Sequence, residues 1–213
     1  PLETQTTVGN YFVSNYPPFS FWKKEDVPKI EAAMEQTPKK DIPLGVYSHF
    51  PFCRKRCHFC YFRVYTGVKA QEIRDYLDAA LEEMDRYMGR AFIGDRKLAY
   101  IYFGGGTPSF LSTSQLEFLA GEMQKRLSWD DAEEITFECE PGTLTKAKLE
   151  TIREIGVTRL SLGIENLDDE ILRHNGRAHI AKEIYQVMPW VHELAFDQVN
   201  VDLIAGMVGE TWE

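Results

Sequence analysis

The sequence has no long hydrophobic run. Its 213 residues are 44% hydrophobic, yet no apolar stretch nears the roughly 18–20 residues needed to span a bilayer, and the N-terminus has no basic-then-apolar leader pattern. A soluble, cytoplasmic protein without a membrane partner is the expectation. Positive charge is also short, with 24 Lys and Arg against 33 Asp and Glu, a net charge of −9. No global field attracts phosphate, so a general nucleic-acid binder is excluded. Cysteine is scarce, four residues in all, and three of them fall within eight positions. Disulfide frameworks spread cysteines through a small secreted chain, so this clustering points to a metal or redox site. The fourth, Cys139, reads as a small buried hydrophobe. Acidic residues are missing from Val46 to Gln71, where Arg54, Lys55, Arg56, Arg63 and Lys69 all lie. That stretch is either a solvated basic loop or a docking face for an acidic electron donor or an anionic substrate.

What is present has a regular order. Residues 1–42 form an aromatic, proline-rich arm and linker with a short helix around Val27–Glu35, and a second region occupies 43–213. Apolar runs at Leu44–Phe50, Leu98–Phe103, Ile135–Glu138, Val157–Ile164 and Gln198–Ile204 read as strands. Between them lies a helix whose Ile73, Tyr76, Leu77, Ala80, Leu81, Met84 and Met88 follow i, i+3, i+4 spacing up to Gly89. Ser112 with Gln115 forms a capping box for a helix to about Leu127. Further helices run from Thr145 to Gly156, from Asp168, and over Ile180–His192. Strands separated by helices predict an α/β fold of parallel units with right-handed crossovers, near-continuous apolar strands covered on both faces, and function at the strands' C-terminal ends. The cysteine loop, Gly104-Gly105-Gly106-Thr107-Pro108, Glu138, Glu165 and Asp202 all fall there.

Cys53-x3-Cys57-x2-Cys60 carries the chemistry. Thiolates suit iron–sulfur clusters and zinc. A cubane needs four ligands, so three cysteines leave one iron open to a reactant. Zinc held by three cysteines plus His49 or His58 is the alternative.

The stretch Gly45-Val-Tyr-Ser-His-Phe-Pro-Phe-Cys53-Arg-Lys-Arg-Cys57-His-Phe-Cys60 resembles the signature of radical S-adenosylmethionine (SAM) enzymes, in particular the oxygen-independent coproporphyrinogen III oxidase group. The resemblance runs from about Tyr11 to the end of the chain. It implies a partial parallel (β/α)6 barrel with an N-terminal extension, cut short before its C-terminal part. It implies a 4Fe-4S cluster on Cys53, Cys57 and Cys60, whose open iron binds SAM. One electron from the cluster then splits SAM into methionine and a 5′-deoxyadenosyl radical that abstracts hydrogen from a substrate. By the same resemblance, Tyr47, Phe59, Gly105, Gly106, Thr107, Glu138, Arg177 and Asp202 fall on SAM-contacting positions. Glu165 stands where the family usually has glutamine, beside the SAM ribose. Missing Cβ atoms in the glycine run let backbone carbonyls approach an ammonium group.

Three functions follow as expectations: oxidative decarboxylation of an anionic tetrapyrrole, a related methyl transfer or porphyrin ring opening, or haem carriage by a chaperone of the same fold. A flavodoxin- or ferredoxin-like electron donor is implied. Tyr11-Phe-Val-Ser-Asn-Tyr-Pro resembles the decarboxylases' arm. Phe62 replaces the further cysteine those enzymes carry two residues beyond the third ligand.

Overall fold

A computed structural model of the protein describes residues 21–39 and 42–211. The Tyr11–Pro17 similarity lies outside the described residues, as does most of the expected arm. After α1 (Val27–Met34) come five strands, β1 (Leu44–Phe50), β2 (Leu98–Gly105), β3 (Glu134–Cys139), β4 (Arg159–Glu165) and β5 (Gln198–Leu203). They form one parallel sheet in chain order. The connecting helices are α2 (Ala70–Met88), α3 (Thr113–Arg126), α4 (Lys146–Glu154), α5 (Asp169–His174) and α6 (Ala181–Glu193). The expected α/β class and strand–helix alternation are present. None of these helices is long and apolar enough to cross a membrane.

Local chemistry sets the boundaries. Ser112 Oγ accepts from the Gln115 amide while the Gln115 side chain accepts from the Ser112 amide, the reciprocal cap expected from sequence. Thr145 caps α4 by accepting from Lys148. Asp168 accepts two amides at the start of α5. Each satisfies donors that a helix start leaves unpaired.

Alternation divides the sheet into unlike faces. Ile101, Phe103, Ile135, Phe137, Leu160 and Leu162 are buried in one cluster with Leu77, Leu116, Leu149, Ile152, Ile184 and Val187 from the helices. The other face carries Tyr102, Glu138, Ser161 and Asp202, which bond to one another or to nearby strands. The expectation of strands apolar on both faces is therefore corrected. Only one face is packed by helices, and the other lines a polar hollow, which demands strict period-two patterning. On β5, Val199, Val201 and Leu203 are exposed, because α6 covers the sheet only as far as β4 and no described helix follows β5.

Candidate active site

β1 delivers the chain straight into the cysteine loop. The loop closes on itself: the Tyr65 amide donates to the Pro51 carbonyl, the Cys53 amide donates to the Tyr65 carbonyl, and Phe52 and Tyr65 form a parallel bridge. All three ligand cysteines thus sit in one tied excursion over the C-terminal ends of the strands. It is held from outside as well. The His58 amide donates to the Asn175 carbonyl, and His58 Nδ1 lies 2.9 Å from the His174 carbonyl.

A cavity of about 260 Å³ opens beneath this loop. Cys53, Cys57, Cys60, Phe59, Gly105, Gly106, Thr107, Glu138, Glu165, Arg177 and Asp202 all line it, so eleven of the twelve residues singled out from sequence converge. Tyr47 does not. It stands at the rim, 56% exposed, with its hydroxyl 3.0 Å from His49 Nδ1 and its ring against Tyr102.

The sulfurs already have polar company. Thr107 Oγ1 donates to Cys53 Sγ at 3.3 Å, and Arg177 Nη1 donates to Cys57 Sγ at 3.4 Å. The glycine run is explained by close approach. The Gly106 amide donates to the Phe50 carbonyl, and a Cβ there would lie 2.8 Å from that oxygen and 3.0 Å from Cys53 Sγ. Gly105 has φ +108°, and a Cβ on it would strike the His49 ring. The expected use of these glycines, opening carbonyls to a ligand, gains a second cause: β2 must lie against β1 and the cysteine loop.

Carboxylates gather on the strand ends. Glu138 accepts from Tyr102 Oη at 2.6 Å and from the Gly105 amide at 3.2 Å. Burial pushes its carboxyl up against those two bonds, and Asp202 adds to the rise. Asp202 accepts from Ser161 Oγ and Asn200 Nδ2, so it is partnered. Glu165 has φ +66°, a left-handed backbone rare for a side-chain-bearing residue, at the shift in β4–β5 register. Burial raises its carboxyl too, opposed by Arg177 3.7 Å away.

Arg177 is 11% exposed, not the surface residue that Asn175-Gly176-Arg177 also allowed. Its Nη2 donates to the Gly163 carbonyl at 2.6 Å, and its buried Nε has no partner.

Sequence reasoning missed Glu140 and His179. Glu140 follows β3 and receives a two-pronged bond from Arg54, with Nε to Oε2 at 3.0 Å and Nη2 to Oε1 at 2.8 Å. His179 is fully buried, with Nδ1 3.2 Å from Glu140 Oε1 and Nε2 3.1 Å from the Ile164 carbonyl. Burial works against the Glu140 carboxylate, but the bonds from His179 and Arg54 outweigh it and hold the carboxyl at about 2. Nothing in their spacing marks these residues, since the pairings join positions 54, 140 and 179.

The donor set fits a cluster. A single zinc draws its ligands to within about 2.0–2.3 Å, yet no three His, Cys, Asp or Glu side chains among the described residues converge in that way. His49 and His58 do not line the cavity that the three thiols share. Three thiols around one cavity, two of them hydrogen-bonded, with Gly106 making room beside Cys53, suit a larger body with several metal corners.

The Radical SAM superfamily profile matches residues 47–213, most of the chain. The chain belongs to the radical SAM superfamily. The cofactors of that superfamily are a 4Fe-4S cluster and SAM, as the cysteine spacing and the resemblance implied. Among curated relatives, the heme chaperone HemW of Bacillus subtilis (strain 168) is 34% identical over 168 residues, covering 78% of this chain and 44% of that protein. The oxygen-independent coproporphyrinogen III oxidase of a Synechocystis species is 30% identical over 195 residues, 91% of this chain and 42% of that one. In structure, coproporphyrinogen III oxidase (HemN) from Escherichia coli superposes with a TM-score of 0.74 at 27% identity, over 87% of this chain and 41% of that one. The chain therefore spans under half the length of the relatives it matches.

Proposed function

We propose that this chain is the SAM-cleaving core of an oxidoreductase acting on an anionic tetrapyrrole, in the manner of a coproporphyrinogen III oxidase. The observation that carries the reading is the convergence of three cysteines, the glycine run, three carboxylates and a buried arginine on one cavity. Cys53, Cys57 and Cys60 would hold the cluster, which when bound supplies the electron that splits SAM. Arg177, which lines the cavity, offers its guanidinium to the methionine carboxylate of SAM. Glu138, at the end of β3, receives the SAM ammonium. Asp202 and Glu165, on the β4–β5 side, take the ribose hydroxyls. Glu165 adds a negative charge where a glutamine is usual, and Arg177 at 3.7 Å offsets it. Phe59 packs against adenine, and Gly105 and Gly106 keep the floor open. Thr107 spends its hydroxyl on Cys53 and offers SAM only its backbone. Tyr47 closes the rim. The exposed Lys55, Arg56 and Arg63 give an acidic electron donor a surface beside the cysteine loop.

The test is anaerobic reconstitution of the full-length protein with iron and sulfide, followed by reduction with SAM present. Four irons per chain, methionine and 5′-deoxyadenosine are expected, and coproporphyrinogen should lose carbon dioxide to give protoporphyrinogen. Bound zinc, or intact SAM after reduction, would overturn the cofactor reading.

A haem chaperone is the second reading, favoured by Phe62 lining the cavity where the decarboxylases carry a cysteine and by the similarity to HemW. Stoichiometric haem binding with no porphyrinogen turnover would select it.

A further inference from the structure

A chain of polar contacts runs along one wall of the cavity, where Arg54, Glu140 and Arg177 all line it. Arg54 directly follows Cys53. Its guanidinium grips Glu140 with two bonds and donates a third to the Ala178 carbonyl at 3.1 Å. Glu140 in turn accepts from His179 Nδ1 at 3.2 Å, which fixes the ring that Arg177 packs against, with Nη2 3.4 Å from the same nitrogen, while Arg177 Nη1 donates to Cys57 Sγ. The Glu140 backbone is fixed as well, its amide donating to Ser109 Oγ at 3.0 Å. Ser109 lies in the turn after the glycine run, so three separate loops meet at this one residue. The path needs a glycine: a Cβ at Gly142 would fall 1.9 Å from Arg54 Nη2 and 2.6 Å from Glu183 Oε1.

We propose that Glu140 is a positioning residue that sets the Cys53 corner through Arg54 and the Cys57 corner through His179 and Arg177. The proposal rests on the cluster reading above. Its physical basis is that an arginine–carboxylate fork fixes orientation as well as distance. Partners one step behind metal ligands orient them, and removing such partners typically costs about 10- to 100-fold in metal affinity or activity. Because Glu140 bonds Arg54 directly and reaches Arg177 through the His179 ring, both corners should loosen together when it is changed.

Three variants of the anaerobically reconstituted full-length protein test this: Glu140→Gln, His179→Gln and Gly142→Ala. Gly142→Ala is the sharpest, because the atoms its new methyl meets are the far ends of two flexible side chains. It displaces Arg54 and leaves the backbone alone. The measurements are the rate of cluster loss to an iron chelator, the SAM concentration that half-converts the electron paramagnetic resonance spectrum of the reduced cluster, and the melting temperature. Cluster loss about 10-fold faster and about 10-fold more SAM are expected for the folded fraction of Gly142→Ala, with Glu140→Gln at least as affected. Lys146→Ala, in an exposed pair with Glu193, should match wild type in every readout. Wild-type loss rates and SAM titrations in Gly142→Ala and Glu140→Gln would overturn the proposal. A lower melting temperature with both cluster readouts unchanged in the folded fraction would do the same, since that is a structural role alone. If Glu140→Gln does not fold, Gly142→Ala decides. A wild-type protein that never takes up iron would instead sink the cluster reading itself.

Discussion

The two faces of the sheet are built from the same strands and do opposite work. Phe103 and Phe137 on the helix face are buried and touch only apolar neighbours, with ring centroids 5.4 Å apart. Tyr102 and Glu138, one residue away on each strand, point into the hollow and bond to each other. Burying the first pair stabilises the fold. Burying the second costs solvation, which one short hydrogen bond and one amide offset only in part. The lesson is that stability and chemistry are interleaved residue by residue along β2 and β3, so each can be altered without the other.

That contrast can be broken in graded ways. The largest expected effect is Phe137→Ala, which should lower unfolding free energy by about 3–5 kcal/mol in a denaturant titration, because a fully buried ring leaves a cavity. On the folded fraction, cluster uptake should persist. If SAM binding fails while stability holds, the separation of faces is wrong.

Next comes acid. Glu140 is held at about 2 in the fold against an ordinary value near 4.5. A depressed carboxyl contributes stability that is present above the unfolded value and lost as pH falls through the folded one. About 3 kcal/mol should therefore disappear between roughly pH 5 and pH 2. Glu140→Gln should flatten that part of the stability profile, and an unchanged profile would contradict the pairing with Arg54 and His179.

Smaller still is Glu138→Gln. It keeps the shape and removes a charge that burial disfavours, so stability should shift by under about 1 kcal/mol. SAM affinity should fall by an order of magnitude or more, read by equilibrium titration, because the ammonium partner is lost. A large stability loss with intact SAM binding would reverse the comparison.

Legibility in the sequence followed the same division. Ser112 with Gln115, Thr145 and the α2 stripe from Ile73 to Met88 announced their helices, because caps and 3.6-residue periodicity are local. The strands appeared within a residue or two of their observed ends. The expectation of strands apolar on both faces failed because Tyr100, Tyr102, Thr136 and Ser161 are polar residues in period-two register, and a hollow one sheet-width across is invisible to a local window. Tyr47 was grouped with the cavity on resemblance and stands at its rim.

The sequence alone determined the cysteine loop and the order of the βα units, because spacing, capping and alternation act over a few residues, and the family resemblance, rather than any local pattern, singled out most of the residues that meet in one cavity. Only the tertiary structure decided that Arg54, Glu140, His179 and Arg177 join into one chain along the wall of that cavity. Those contacts cross 86, 39 and 2 positions of sequence, and a long-range pairing exists only once folding has brought its strand-end loops to the same place.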